Sequence, residues 1–213
     1  MPVFYNDEKR VLFVHIPKTG GTSVEDAMRV QGAQCLFSMR GLHPEQIKFL
    51  KCSPQHYHAE ILEQLVCKER FNSIVHIIRD PVARLKSEYY WQLAQNQTTQ
   101  EPLEWVESIL GEYEADQFVA DNHIRPQYQF LVRVGNEQLL RFEEGGVSNA
   151  IESISNFLDL QSKKYFLKLK FSQNRKMHRK MSNYDEKIEE KFSQIASSIN
   201  KFYAEDKVLH DSL

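Results

Sequence analysis

Residues 11–30 read VLFVHIPKTGGTSVEDAMRV. The first six, 11–16, form a short apolar and β-branched run, which is typical of a buried β-strand. The two glycines at 20–21 permit a tight turn. Thr22 and Ser23 are residue types that cap helices, and VEDAMRV has the pattern of a helix that follows. The stretch therefore predicts a strand, a glycine loop and a helix in direct succession.

A second unit of the same kind follows at residues 73–94. SIVHII at 73–78 is another buried-strand pattern. Asp80 suits the N-cap of a helix and Pro81 its first position, and a helical pattern then runs to about Ala94.

The rest of the chain continues the alternation. QLLRF at 138–142 resembles a third strand, and helical patterns cover 103–110, 147–158 and 185–203. Strands that alternate with helices imply βαβ units. We therefore expect an α/β fold, with a mainly parallel β-sheet flanked by helices in three layers, as a single domain over 1–213.

The bulk composition describes a globular protein of ordinary size. The chain has 213 residues, 41% of them hydrophobic, which is enough for one domain with a substantial core. Lys plus Arg is 27 and Asp plus Glu is 29, so the net charge is −2. A protein that coats nucleic acid or an anionic membrane usually has a basic excess, and none is present here.

Charge is distributed unevenly along the chain. Residues 87–124 contain eight acidic residues and no Lys or Arg, whereas 161–184 contain eight Lys or Arg and no acid. These stretches are either two solvated faces of opposite sign or, for the basic one, part of a polyanion-binding surface.

The cysteines and the N-terminus predict a reducing compartment. Cys35, Cys52 and Cys67 are odd in number and widely spaced, which argues against a disulfide framework and a zinc site. No apolar segment has the length of a signal peptide or a membrane span. We expect a cytoplasmic protein.

The first glycine loop has the chemistry of an anion cradle. Ligands of parallel α/β sheets bind beyond the carboxyl ends of the strands, and the N–H groups of a helix N-terminus favour negative charge. The loop is not a Walker A sequence, because its lysine precedes the glycines. The residues that offer amides, hydroxyls or an ammonium to a phosphate are Lys18, Thr19, Gly20, Gly21, Thr22 and Ser23.

HIPKTGGTS, residues 15–23, closely resembles the 5′-phosphosulfate loop of sulfotransferases that use 3′-phosphoadenosine 5′-phosphosulfate (PAPS). The likeness is greatest to the branch of heparan sulfate and other carbohydrate O-sulfotransferases, at the small size of bacterial members. The resemblance implies the P-loop-like sulfotransferase core. It also implies that the loop binds the 5′-phosphate and sulfate, and that Lys18 stabilises the leaving oxygen.

A second motif of that family follows the second predicted strand. RDPVARLKS, residues 79–87, matches the pattern R-[DN]-P-x-x-R-x-x-S, whose arginine and serine grip the 3′-phosphate of the cofactor. By resemblance, Arg79 and Ser87 take these roles. A guanidinium binds phosphate with two parallel hydrogen bonds, and a serine hydroxyl adds a neutral donor.

The catalytic base is expected between the two motifs. The carbohydrate branch often places a histidine before a helix there, and SPQHYHAE at 53–60 occupies that interval. Bacterial members resemble His-x-[Ser/Thr]-Ala, which aligns His56 with the base and His58 with the hydroxyl position. We favour His56, with His58 and the carboxylate of Glu60 as alternatives. His-x-His could also be a metal pair, but no third ligand has a recognisable spacing nearby, so we predict no metal.

Other segments have weaker roles by resemblance. HIRPQY at 123–128 is similar to a family segment near the cofactor or acceptor, and the basic run at 175–182, with Arg179 and Lys180, to a loop that closes over the nucleotide. That run could equally be a solvated loop. His15 and His76 lie in predicted strands and are expected to be core residues.

The leading hypothesis is therefore a metal-independent sulfotransferase that uses PAPS and acts on a hydroxyl of a carbohydrate or small molecule. The acidic stretch does not favour a highly anionic glycan, and the short chain makes a small acceptor credible. An ATP-dependent kinase on a P-loop-like core is one alternative. A catalytically silent module that binds nucleotide or glycan is another.

Overall fold

The centre of the protein is a β-sheet. The computed structural model describes residues 2–6, 9–39, 42–160 and 186–213. Within them the sheet has the strand order β3-β1-β2-β4-β5. The strands are β1 (Val3–Asn6), β2 (Lys9–Val14), β3 (Gln34–Leu36), β4 (Ser73–Ile78) and β5 (Glu137–Arg141).

The core of this sheet is parallel. β2 pairs with β4 and β4 with β5, in a register that sets Val14 opposite His76 and Ile78 opposite Arg141. β1 runs antiparallel to both β2 and β3, so the sheet is mixed. The α/β prediction is confirmed. The antiparallel strands were not predicted, because segments of four and three residues are too short to show a period-2 pattern.

Helices cover both faces of the sheet. They are α1 (Gly21–Val30), α2 (Pro44–Ile47), α3 (Ala59–Leu65), α4 (Pro81–Ala94), α5 (Pro102–Ala115), α6 (Gly146–Phe157), α7 (Glu186–Phe202) and α8 (Ala204–Asp211). None of the described helices is long and apolar enough to cross a membrane.

Alternation along β2 divides the core between the two faces. Phe13 packs on the side of α1 and α6, against Met28 and Ile154. Leu12 points the other way and belongs to a cluster with Leu62 of α3. Full burial of side chains of this size stabilises the fold by about 1.5–3 kcal/mol each. The two clusters hold β2 rigidly, and β2 delivers the glycine loop.

A third cluster holds α4 in place. Leu85 and Tyr89 of α4 are buried against Trp105 of α5 and Phe192 of α7. α4 carries Ser87, so this packing fixes one wall of the site described below.

The boundaries of α4 agree with the sequence, whereas those of α1 do not. The Asp80 side chain accepts the Ala83 N–H at 2.9 Å, as an N-cap does, and Pro81 is the first helical residue. α1 begins at Gly21, and its N-cap is Gly20 in the left-handed conformation without a side-chain hydrogen bond. Capping by Thr22 and Ser23 was therefore wrong. A glycine that adopts φ 88° starts the helix two residues earlier.

Candidate active site

A pocket of about 800 Å³ opens where β2 and β4 end. The parallel pairing of these strands brings the loops after them to one edge of the sheet. Most residues predicted from sequence to form a site meet here, although they span about seventy positions of the chain. Those that line the pocket are Lys18, Gly20, Gly21, Thr22, Ser23, His56, Arg79 and Ser87.

The glycine loop packs too tightly for larger residues. A Cβ added at Gly20 would lie 2.5 Å from Cγ2 of Val147, and one at Gly21 would lie 2.1 Å from Cδ2 of His15. Lys18 has a φ of 66°, which is unusual for a residue other than glycine. Such backbone strain is found preferentially at functional sites. The loop is therefore held in one shape, with the N-terminus of α1 facing the pocket.

The Lys18 ammonium lies inside the pocket wall. Its Nζ is 3.8 Å from Oε2 of Glu88 and 5.1 Å from the centre of the Trp91 ring. Burial lowers the pKa of Lys18 to about 8, while the charge of Glu88 raises it and that of Arg79 lowers it. The ammonium is therefore still mainly protonated at pH 7.

Arg79 joins the glycine loop to the segment 79–87. Its Nη1 donates to the Lys18 carbonyl at 2.9 Å, and its guanidinium lies 4.5 Å from the centre of the Phe142 ring. The Arg79 backbone N–H donates to the Gln127 side chain at 3.0 Å. Arg84 of the same motif does not reach the pocket. It is buried and donates to two carbonyls of the 123–125 segment, so its role is structural.

His56 is held by a carboxylate in the pocket lining. Its Nδ1 lies 2.9 Å from Oδ2 of Asp121, and its Nε2 lies 3.2 Å from the Gln55 amide nitrogen. Burial keeps the pKa of His56 below its ordinary value, so the imidazole is neutral at pH 7. A neutral imidazole whose Nδ1 donates to a carboxylate has a lone pair on Nε2. His56 can therefore accept a proton.

Asp121 is presented by a strained turn. Ala120, Asp121 and Asn122 all have left-handed backbones, with φ of 50°, 57° and 67°. Asp and Asn adopt this conformation more readily than other residues with a Cβ, whereas for Ala120 it costs roughly 1–2 kcal/mol. Asn122 is fully buried and donates to the His56 carbonyl at 2.9 Å, and Ser53 donates to Asp121 through both its backbone N–H and its hydroxyl. These bonds join the turn to the loop that carries His56.

His58 and Thr19 lie outside the pocket lining. His58 is buried between the rings of Phe118 and Phe130, and burial lowers its pKa to about 4. Thr19 is also buried, and its hydroxyl donates to the Ile16 carbonyl at 2.8 Å. The Glu60 side chain is 80% exposed and 3.8 Å from His58. Arg179, Lys180 and the rest of the basic 161–184 stretch lie outside the described residues.

Two further histidines line the pocket, each paired with a carboxylate. Nδ1 of His15 is 2.7 Å from Glu25, and Nδ1 of His123 is 2.7 Å from Glu88. β2 ends at Val14, two residues before the predicted end, so His15 follows the strand and faces the site. His76, by contrast, is fully buried in β4, as predicted.

The spacing of residues in the sequence did not indicate that Glu25 and Glu88 pair with these histidines. The resemblance of 123–128 to a family segment near the ligands was the one signal for His123.

His56, Asp121 and His123 also present atoms that could bind a metal ion. One ligand atom of each lies within 4.8 Å of the others. The structure thus places two further possible metal ligands, Asp121 and His123, beside His56, which the sequence spacing did not reveal. In the described residues, however, His56 bonds Asp121 and His123 bonds Glu88, so hydrogen bonding accounts for the arrangement. We assign no metal to it.

Comparison with known proteins identifies one family. The model of the sulfotransferase family matches residues 1–211, nearly the whole chain. No curated protein and no solved structure matches significantly.

Proposed function

We propose that this chain, which belongs to the sulfotransferase family, transfers a sulfuryl group from PAPS to a hydroxyl of its acceptor. The observation that carries the proposal is the convergence in one pocket of both phosphate motifs and the hydrogen-bonded pair of His56 and Asp121. The motifs are far apart in sequence, so their meeting at the ends of parallel strands supports a shared ligand.

Two groups of pocket residues suit the two phosphate groups of PAPS. The N-terminus of α1, from Gly21, and the Lys18 ammonium would hold the 5′-phosphosulfate. Arg79 and Ser87 would hold the 3′-phosphate, with the guanidinium supplying paired donors. Glycine at 20 and 21 lets the loop pack against Val147 and His15, because a Cβ at either position would meet those side chains. When bound, PAPS supplies the sulfuryl group and leaves as the 3′,5′-bisphosphate (PAP).

The chain supplies a base and a cation for in-line displacement at sulfur. His56 is neutral and accepts the hydroxyl proton at Nε2 as the acceptor oxygen bonds to sulfur. Asp121 then stabilises the imidazolium. As the bond between sulfur and the phosphate oxygen breaks, the Lys18 ammonium offsets the negative charge that grows on that oxygen.

The walls near His56 suit a neutral hydroxylated acceptor. Trp91 offers an aromatic face, and Gln55 and Gln97 offer amide groups, all in the pocket lining. An apolar surface with a few polar groups is typical of small-ligand sites, and amides can bond either way with hydroxyls. We propose that the acceptor is a carbohydrate or another small polyhydroxylated molecule.

Incubation with ³⁵S-labelled PAPS and a panel of sugars and small alcohols tests the proposal. We expect label in an acceptor and release of PAP without added metal. Lys18→Ala should lower kcat by orders of magnitude while leaving the fold intact. Binding of PAPS with no transfer to any acceptor would contradict catalysis and favour a binding module. Magnesium-dependent consumption of ATP would favour a kinase.

A further inference from the structure

We propose that Glu88 is a positioning residue that holds Lys18 and His123 ready for reaction from one buried carboxylate. The inference rests on the proposed function, in which Lys18 acts on the leaving oxygen. Glu88 follows Ser87 on α4, but its side chain is fully buried behind the pocket wall. The sequence motif that ends at Ser87 gives it no role.

One oxygen of Glu88 serves both pocket residues. Oε2 lies 2.7 Å from Nδ1 of His123 and 3.8 Å from Nζ of Lys18. The other oxygen, Oε1, accepts from the Gln92 amide at 2.9 Å, and Gln92 in turn accepts the Trp105 indole N–H at 2.9 Å. The Gln92 amide, itself held by Trp105, thus fixes the carboxylate from behind, and the Lys18 ammonium compensates its charge.

For Lys18, Glu88 maintains the charge. A buried ammonium loses solvation, which favours its neutral form, and an opposite charge within about 4–6 Å works against that loss. Besides Glu88 and Arg79, the charged and titratable groups in the pocket with Lys18 include His56, Asp121 and His123. Arg79 favours deprotonation of Lys18, so Glu88 has to balance both burial and a like charge.

For His123, Glu88 fixes the ring. An Nδ1–H that donates to the carboxylate leaves Nε2 as an acceptor, and it sets the plane of the imidazole. The ring centre lies 4.8 Å from that of His56 and 5.5 Å from that of Trp91. One carboxylate therefore links the cation on the donor side of the pocket to an imidazole on its acceptor side.

The test measures the titration of Lys18 itself, without ligand. Lysine labelled with ¹³C at Cε is followed by NMR, and Lys18→Met assigns the signal. In Glu88→Gln, which keeps the shape but not the charge, we expect the Lys18 titration at least about one pH unit below that of the wild type. Coincident titrations in the two proteins would overturn the inference.

Glu25→Gln is the matched control. Glu25 is also buried and bonded to a pocket histidine, but its partner is His15, not Lys18. Glu25→Gln should leave the pKa of Lys18 unchanged. A fall of that pKa in both variants would therefore indicate a general loss of packing. If Glu88→Gln does not fold, Glu88→Asp is the second variant. It moves the charge away from Lys18 and should lower the pKa of Lys18 by a smaller amount.

A kinetic readout separates this inference from the proposed function. The pH profile of kcat/KM for PAPS reports groups of the free enzyme. The fall of kcat/KM at high pH should occur at a lower pH in Glu88→Gln, and at an intermediate pH in Glu88→Asp. A structural defect would lower the rate at every pH and leave the limb in place, which would contradict the inference. Absence of PAPS turnover by the wild type would refute the proposed function alone, because the NMR titration still tests the contact.

Discussion

Nδ1 of His56 lies 2.9 Å from Oδ2 of Asp121, although 65 positions separate them in the chain. Ser53 donates to the same carboxylate, with its hydroxyl at 2.7 Å. These bonds over-determine the position of Asp121, and they offset the cost of its left-handed backbone. The pair leaves the lone pair of His56 on Nε2, which faces the Gln55 amide at 3.2 Å.

The first prediction concerns Asp121. Asp121→Asn keeps the size of the side chain but cannot stabilise a protonated His56. We expect kcat for sulfuryl transfer to fall at least about tenfold, which is part of the roughly 10²–10⁴-fold that a positioned base contributes in all. Asp116→Asn, an exposed acid in the adjoining segment, is the control and should keep wild-type kcat. An unchanged kcat in Asp121→Asn would refute the pairing as catalytic.

The second prediction separates His56 from His58. His56→Ala should abolish transfer while PAP still binds, because the phosphate motifs remain. His58 packs between two phenylalanines outside the pocket lining. We therefore expect His58→Ala to lower the unfolding free energy by about 0.5–3 kcal/mol and to keep kcat in the folded protein. The reverse pattern, in rate and in urea unfolding, would assign the base to His58.

The third prediction concerns the glycine loop. In Gly21→Ala the new Cβ would lie 2.1 Å from the His15 ring, so the loop or the ring must move. We expect a loss of about 1–3 kcal/mol in unfolding free energy, as for other overpacked sites, and weaker PAP binding.

Gly111→Ala is the matched control for this change. Gly111 lies in α5 with nothing within 4 Å of an added Cβ, so alanine there should stabilise the protein by about 0.5–1 kcal/mol. If both variants unfold like the wild type, the close packing of the loop is wrong.

The fourth prediction concerns pH. Lys18 must be charged to act, and burial lowers its pKa to about 8, so kcat/KM for PAPS should fall as pH rises through that value. Arginine stays protonated throughout this range. In Lys18→Arg the residual activity should therefore lack this high-pH limb. A limb that persists near pH 8 in Lys18→Arg would belong to another group.

Much of the fold could be predicted from local patterns. The apolar run at 73–78 and the Asp80-Pro81 start of α4 appear in the structure as predicted, because each depends on neighbouring residues. The short strands β1 and β3 could not be predicted from local patterns. β1 pairs with β2 and also with β3, and β3 is distant from both in the sequence. The start of α1 was wrong because a glycine backbone, not a side chain, begins that helix.

The site was predictable where a contiguous motif carries it. Lys18, Arg79 and Ser87 belong to such motifs, and the structure places them in one pocket. Asp121 and Glu88 could not be found in this way, because each acquires its histidine only through tertiary contacts. The left-handed turn that presents Asp121 has no glycine to indicate it.

The most direct measurement is thermal stabilisation by PAP, with ATP and 5′-AMP as controls. A ligand at ~100 times its dissociation constant adds about 2.7 kcal/mol to native stability. We expect a clear shift with PAP that is lost with 5′-AMP and in Arg79→Ala, since both remove the 3′-phosphate contact. No response to PAP, together with a shift from magnesium ATP, would contradict the sulfuryl-transfer account and point to phosphoryl transfer.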